Sequence, residues 1–162
     1  MANDANKAAL AQKAYSDLCA HLTACGWNYE RHDERKFVTL TMRGEIGPIE
    51  LIFAVSEDPE IITLVSLIKP TPPKEKRAEI GMAVNMANYD VISGSFQYNA
   101  YDMNLQWISS LPYCDSVLTK KQVEFLVNLS CSVIDRYSAW FMMLGKGLIT
   151  LKQFYDFSKS SR

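Results

Sequence analysis

The histidines and thiols that most readily serve as general base, nucleophile or zinc ligand are few: two histidines, His21 and His32, and four cysteines, Cys19, Cys25, Cys114 and Cys131. Around His21, separations of two and four residues put only Cys25 on the same helical face. Zinc takes four ligands, or three and a water, so this pair is too small a set. The expectation is a surface histidine beside a packed thiol, with no metal bound. His32 precedes Asp33 in the run RHDERK, an imidazole beside a carboxylate. An exposed turn supplies neither the desolvation nor the fixed geometry a general base needs, and a solvated turn is the reading.

Nucleophilic hydrolysis fares no better. There is no GxSxG elbow and no cysteine in a catalytic signature. Cys114, in PYCDS, is the one thiol expected to be accessible, and Asp115 beside it would raise rather than lower its pKa. The four cysteines match neither a disulfide framework nor a thiol-redox motif, so free, mostly buried thiols are expected. Gly145, Lys146 and Gly147 follow a helix instead of joining a strand to one, which makes them a helix terminus and not a phosphate cradle. The run Lys74, Glu75, Lys76, Arg77 mixes signs on a solvated face. Tyr137, Trp140, Phe141, Phe154, Tyr155 and Phe157 are dense near the C-terminus, as core closure or as the cover of a binding groove, with core favoured. No catalytic residue, metal or cofactor is expected; an enzyme would need carboxylates, tyrosines or thiols gathered from scattered positions into one cleft.

These residues hang on a legible series of elements. Ala11, Tyr15, Leu18, Leu22 and Cys25 recur at spacings of four and three, the signature of one helical face, and Gly26 follows as a left-handed cap. A short strand is expected at Trp27 to Tyr29, with a turn in RHDERK. Val38, Leu40 and Met42 then alternate with polar residues, and after GEIGP the alternation continues through Ile49, Leu51, Phe53 and Val55. Ile61 to Ile68 is apolar on both faces, as in a central strand. Thr71 reads as a helix cap with Pro72 in the first turn, leading to Ile80, Val84 and Ala87 on a narrow buried face. Phe96 and Tyr98, a turn at Tyr101 to Asn104, and Leu105, Trp107, Ser109 and Leu111 form a second hairpin. Thr119 and Gln122 make a capping box for the longest helix, whose face is Val123, Val127, Ser130, Ile134, Tyr137, Phe141 and Leu144. LKQFYDF is a short last helix before a frayed tail at 158–162. Leu18, Leu22, Phe53, Leu64, Val84, Phe96, Ile134 and Phe141 are the expected core.

The whole chain, 1–162, is thus expected to be a single α+β domain: N-terminal helix, antiparallel sheet of five or six strands interrupted by a middle helix, and long C-terminal helix. Seventeen basic and 18 acidic side chains nearly cancel, so no field draws the chain to nucleic acid or an anionic membrane. No stretch approaches the roughly 20 apolar residues of a spanning helix. MANDANKAAL lacks the basic start and apolar core of a secretory signal, and the expected location is cytoplasmic.

Three segments carry a resemblance: LTACGWNYE after the first helix, PPKEKRAEIGMAVNMANYDVISGSFQYN around the second, and VIDRYSAWFMML in the last long helix. Together with the element order they resemble the YbjN-type family of putative bacterial sensory transduction regulators, which shares the fold of type III secretion chaperones. The resemblance implies a non-enzymatic regulatory or protein-binding module with no catalytic residues to carry over. GKGLITLKQFYDF extends past the helix where the family pattern is expected to end. The leading expectation is a protein-binding module, dimeric or holding a partner segment, with Leu105, Trp107 and Leu111 as a partner-binding surface. The rival is a small-ligand sensor with an aromatic-lined pocket between the sheet and the C-terminal helices.

Overall fold

The computed structural model describes residues 2–114 and 116–160. Helix α1 runs Ala2–Ala24, and the spacing-four-and-three face is the buried one: Ala11, Tyr15, Leu18 and Leu22 are inaccessible to solvent. It ends because Gly26 takes a left-handed conformation at φ 73°, which lets Gly26 N–H reach Thr23 O at 2.9 Å and Trp27 N–H reach Leu22 O at 3.2 Å. This pair of bonds is a Schellman motif and closes carbonyls the helix would otherwise leave open.

Six strands follow: β1 (Tyr29–His32), β2 (Phe37–Arg43), β3 (Pro48–Glu57), β4 (Glu60–Leu67), β5 (Ser95–Asn99) and β6 (Asn104–Pro112). They form one antiparallel sheet in the order β1-β2-β3-β4-β6-β5. The doubly apolar β4 lies inside the sheet, as its sequence predicts. Helices α2 (Arg77–Tyr89) and α3 (Lys120–Gly145) and a shorter α4 (Leu151–Lys159) complete the fold. α1 packs on β3 and β4, α2 on β5, α3 on β6, and α4 closes against α2 and α3. Val38, Leu51, Phe53, Leu64, Phe96 and Trp107 are buried beneath these helices, and all eight expected core side chains are buried. The alternate strand positions point the other way, so this is a two-layer α+β sandwich with one sheet face free of helices among the described residues.

Local chemistry explains the departures from expectation. β1 takes Tyr29–His32, and only Asp33–Arg35 of the charged run turns, as a 3₁₀ turn. Thr71 caps nothing: α2 starts at Arg77, after a second 3₁₀ turn at Lys74–Lys76. Pro72 is itself followed by Pro73, whose ring drives the preceding residue out of helical conformation, so no helix can begin there. α4 carries its own capping box, Thr150 with Gln153, and continues through the start of the tail expected to fray. Ser158 is buried and donates to Tyr155 O at 2.8 Å; residues 161–162 lie outside the described part.

Candidate functional site

The reactive side chains are dispersed, and packing assigns them structural work. His21 Nε2 lies 2.8 Å from Leu118 O, tying α1 to the segment ahead of α3. Cys25, one turn on, donates to Glu124 Oε1 at 3.7 Å. His32 stacks on Phe37 with centroids 4.0 Å apart. Asp33 accepts from Tyr15 Oη at 2.9 Å and from Arg31 Nε and Nη2 at 3.0 and 2.8 Å. The Tyr15 and Arg31 donors hold the Asp33 carboxyl below its ordinary pKa, while burial and the Asp33 bond push the Tyr15 phenol to about 12. The thiols are less buried than their spacing suggests: only Cys19 is buried, Cys25 and Cys131 are half-buried and Cys114 is exposed. Asp115, the expected neighbour acting on Cys114, lies outside the described residues. Among the described residues no three histidine, cysteine or carboxylate side chains gather in a metal-binding group.

The expected partner surface at Leu105, Trp107 and Leu111 is corrected by the direction these side chains take. Leu105 and Trp107 are 2% and 0% exposed and Leu111 is half-buried, because this face of β6 lies against α3. Trp107 Nε1 donates to Ser130 Oγ at 2.9 Å, satisfying the indole within the core. Alternation alone identifies a face but not which layer covers it, and here the helices of the same chain do so.

Apolar side chains open to solvent occur on the other face. The register aligns Thr39, Ile52, Val65, Ile108 and Ser95 across five neighbouring strands. Ile52 is 37% exposed, and Leu67, two residues along β4 from Val65, is 46% exposed. Among the described residues no helix lies over this row. The outward positions of β4 were visible as the second apolar phase of Ile61 to Ile68, the signal that points to this surface.

A second feature lies along α3. Gly44 to Gly47 turns the chain between β2 and β3 and rests on α3 through a 2.8 Å bond from Glu45 N–H to Asp135 Oδ1. A Cβ on Gly44 would stand 2.5 Å from that same oxygen, so the approach requires glycine. Ile46, at the turn's tip, separates two clefts. One, of about 300 Å³, runs between β3, β4 and α3 past Ser66 and Lys69. The other, of about 520 Å³, runs between α3 and α4 past Arg136, Trp140 and Phe157. The C-terminal aromatics accordingly divide: Tyr137, Phe141 and Phe154 are buried core, Trp140 and Phe157 are half-buried at the cleft, and Tyr155 is exposed.

The family model that matches is YbjN, "Putative bacterial sensory transduction regulator", over residues 15–143. The match covers most of the chain, from within α1 to near the end of α3, and the chain belongs to this family. No curated protein matches it. Among solved structures it resembles the crystal structure of YbjN from E. coli, described as a putative transcription regulator, with a TM-score of 0.59 at 13% identity. That alignment covers 77% of this chain and 91% of the other, and at such low identity it shows a shared fold. α4 lies beyond the family match, as the sequence led us to expect. No described helix is long and apolar enough to cross a membrane.

Proposed function

We propose that this chain is a non-catalytic regulatory module that binds a polypeptide, a partner protein or a second copy of itself, across the helix-free face of its sheet. The observation that carries this reading is the apolar row Ile52, Val65 and Ile108, with Leu67 beside it, left uncovered by the described helices. An apolar strip set among threonines, serines and glutamines loses water contact only when another surface covers it, and such a surface marks an interaction site. A regulatory role accords with the family to which the chain belongs. Holding a segment on a sheet face, as a chaperone does, needs no reacting group, which agrees with the dispersed histidines and thiols. Four unpaired cysteines suit a reducing cytoplasm.

The test is light scattering across a concentration series together with capture of polypeptides from the native cell, for the wild-type protein and for Ile52→Lys combined with Leu67→Lys. Both positions already touch solvent, so the variant keeps its core. Wild-type protein should self-associate or retain a polypeptide, and the double variant should lose that property. Capture that survives the two lysines would move the site elsewhere.

A further inference from the structure

Beyond the sheet face, we propose that the cleft between α3 and α4 binds a small zwitterion of the α-amino-acid class. Arg136 takes its carboxylate, Asp135 and Glu45 its ammonium, and the Trp140–Phe157 wall its apolar side chain.

Arg136 presents a guanidinium edge without an anion. Arg136 Nε and Nη2, one complete edge of the fork, are buried and donate to nothing among the described residues. Arg31 shows what that edge normally does: the same two nitrogens lie on Asp33 Oδ1 at 3.0 and 2.8 Å. Arg136 is held instead by aromatic faces, its guanidinium carbon 5.1 Å from the Tyr137 centroid and 5.9 Å from the Phe157 centroid. Ring faces steady a cation without using its N–H donors. A planar carboxylate fits the idle edge with two parallel bonds, and an unpaired buried donor makes that exchange favourable. The edge is closed to solvent, so an incoming carboxylate must displace the side chains covering it.

Charge narrows the ligand further. The same cleft is lined by Asp135 and Glu45, which have no ion-pair partner among the described residues, against one guanidinium. Asp135 is fixed in place by the Glu45 N–H bond. Two carboxylates repel a phosphate dianion or a simple organic anion, whereas a ligand bringing its own ammonium gives the acidic side a cation while its carboxylate meets the guanidinium. Trp140 and Phe157 stack at 3.9 Å with planes 12° apart, an apolar wall for the remaining group. At about 520 Å³ the cleft is of ordinary size for a small-molecule site.

The full chain is titrated with L-phenylalanine, phenylalaninamide, N-acetyl-phenylalanine and inorganic phosphate, following heat and tryptophan emission. Phenylalanine should saturate and change the emission of Trp140, a change that Trp140→Phe abolishes. Blocking either charged end should weaken binding by about tenfold or more, as should Arg136→Gln, and phosphate should not bind. Glu45→Gln, on an exposed turn, reads the ammonium contact should the arginine variant fold poorly. No saturation by phenylalanine in the millimolar range, equal binding of N-acetyl-phenylalanine, or unchanged affinity in Arg136→Gln and Glu45→Gln would overturn the proposal. Ile52→Lys with Leu67→Lys should still bind phenylalanine, which separates this site from the sheet face.

Discussion

The carboxamide of Asn88, at the end of α2, pairs with both backbone groups of Phe96 on the edge strand β5. Asn88 Oδ1 accepts from Phe96 N–H at 2.7 Å, and Asn88 Nδ2 donates to Phe96 O at 2.9 Å. The side chain therefore stands where the backbone of a seventh strand would. Edge strands offer unpaired donors and acceptors that recruit other chains, and here one residue occupies the middle of that edge. The arrangement also explains why Phe96 packs so deeply. With its backbone groups turned outward, Phe96 and its cross-strand partner Trp107 form a close pair, their rings 5.1 Å apart at 65°.

Asn88→Ala removes both bonds and leaves the Phe96 N–H and C=O without protein partners. The expected cost is about 1–3 kcal/mol. Urea unfolding should show a lower midpoint with an unchanged slope, and the variant should elute larger at high concentration as the freed edge pairs. Asn88→Asp keeps an acceptor for the N–H but sets a carboxylate against Phe96 O, and should fall below wild type without gaining association. A variant as stable and as monodisperse as wild type would show that α2 holds β5 by packing alone.

Trp107 and Ser130 form a second two-residue unit, and a double-mutant cycle isolates it. Ser130→Ala leaves a buried indole N–H unpaired, at an expected cost of about 1–3 kcal/mol. Trp107→Phe removes that donor but opens a cavity in the core. The double variant should be less destabilised than the two single costs added together, because Ser130 no longer matters once the indole has gone. Strictly additive costs, measured by denaturant unfolding, would place Ser130 outside the indole's support.

What the sequence discloses about this fold is its periodicity. Spacings of four and three locate α1 and α3, and alternation locates the strands, because each reports a face turned to the core. The Thr119 and Gln122 capping box is equally plain. What escapes is set by tertiary contact. Trp107 and Leu105 share an apolar phase that suits either an outer surface or an inner one, and only α3 settles the matter. Arg136 escapes too: one residue from Tyr137, it reads as an ordinary polar position until the fold brings Phe157 beside it. The Asn88 pairing joins residues eight apart across a turn, and neither periodicity nor propensity announces it. The helix start misread at Thr71 is different in kind, since the Pro72-Pro73 pair carried the warning.

Acid and alkali should both act on the corner where α1 meets the first hairpin. Asp33 has a folded pKa depressed by the Tyr15 and Arg31 bonds. Its contribution is present above the unfolded carboxylate value, near 4, and is lost as pH falls through the lower folded value. Asp33→Asn should therefore be less stable than wild type at neutral pH, with the difference closing as both are acidified. Tyr15 works in the opposite sense. Its phenol is raised to about 12, so its share is intact below the unfolded value of about 10 and fades as pH climbs through 12. Tyr15→Phe should lose this share of the alkaline dependence and keep the remainder. Parallel stability profiles for wild type and Asp33→Asn across acid pH would refute the assignment.

Thiol labelling should resolve the four cysteines by exposure and by acidity. Cys114 is exposed, in the loop after β6, and should react first. Burial, with Asp135 nearby, pushes the Cys131 thiol to about 11, leaving almost no thiolate at neutral pH. Burial raises Cys19 as well, and Cys25 is raised by burial and then by Glu124. The thiolate is the reacting form, so these three should label slowly in the folded protein. Cys25 should be the fastest of the slow group in Glu124→Gln, which removes the carboxylate facing its sulfur. In denaturant all four should react alike. Mass spectrometry of partially labelled protein assigns each site, and a Cys131 that competes with Cys114 in the native state would show α3 opening far more readily than its packing implies.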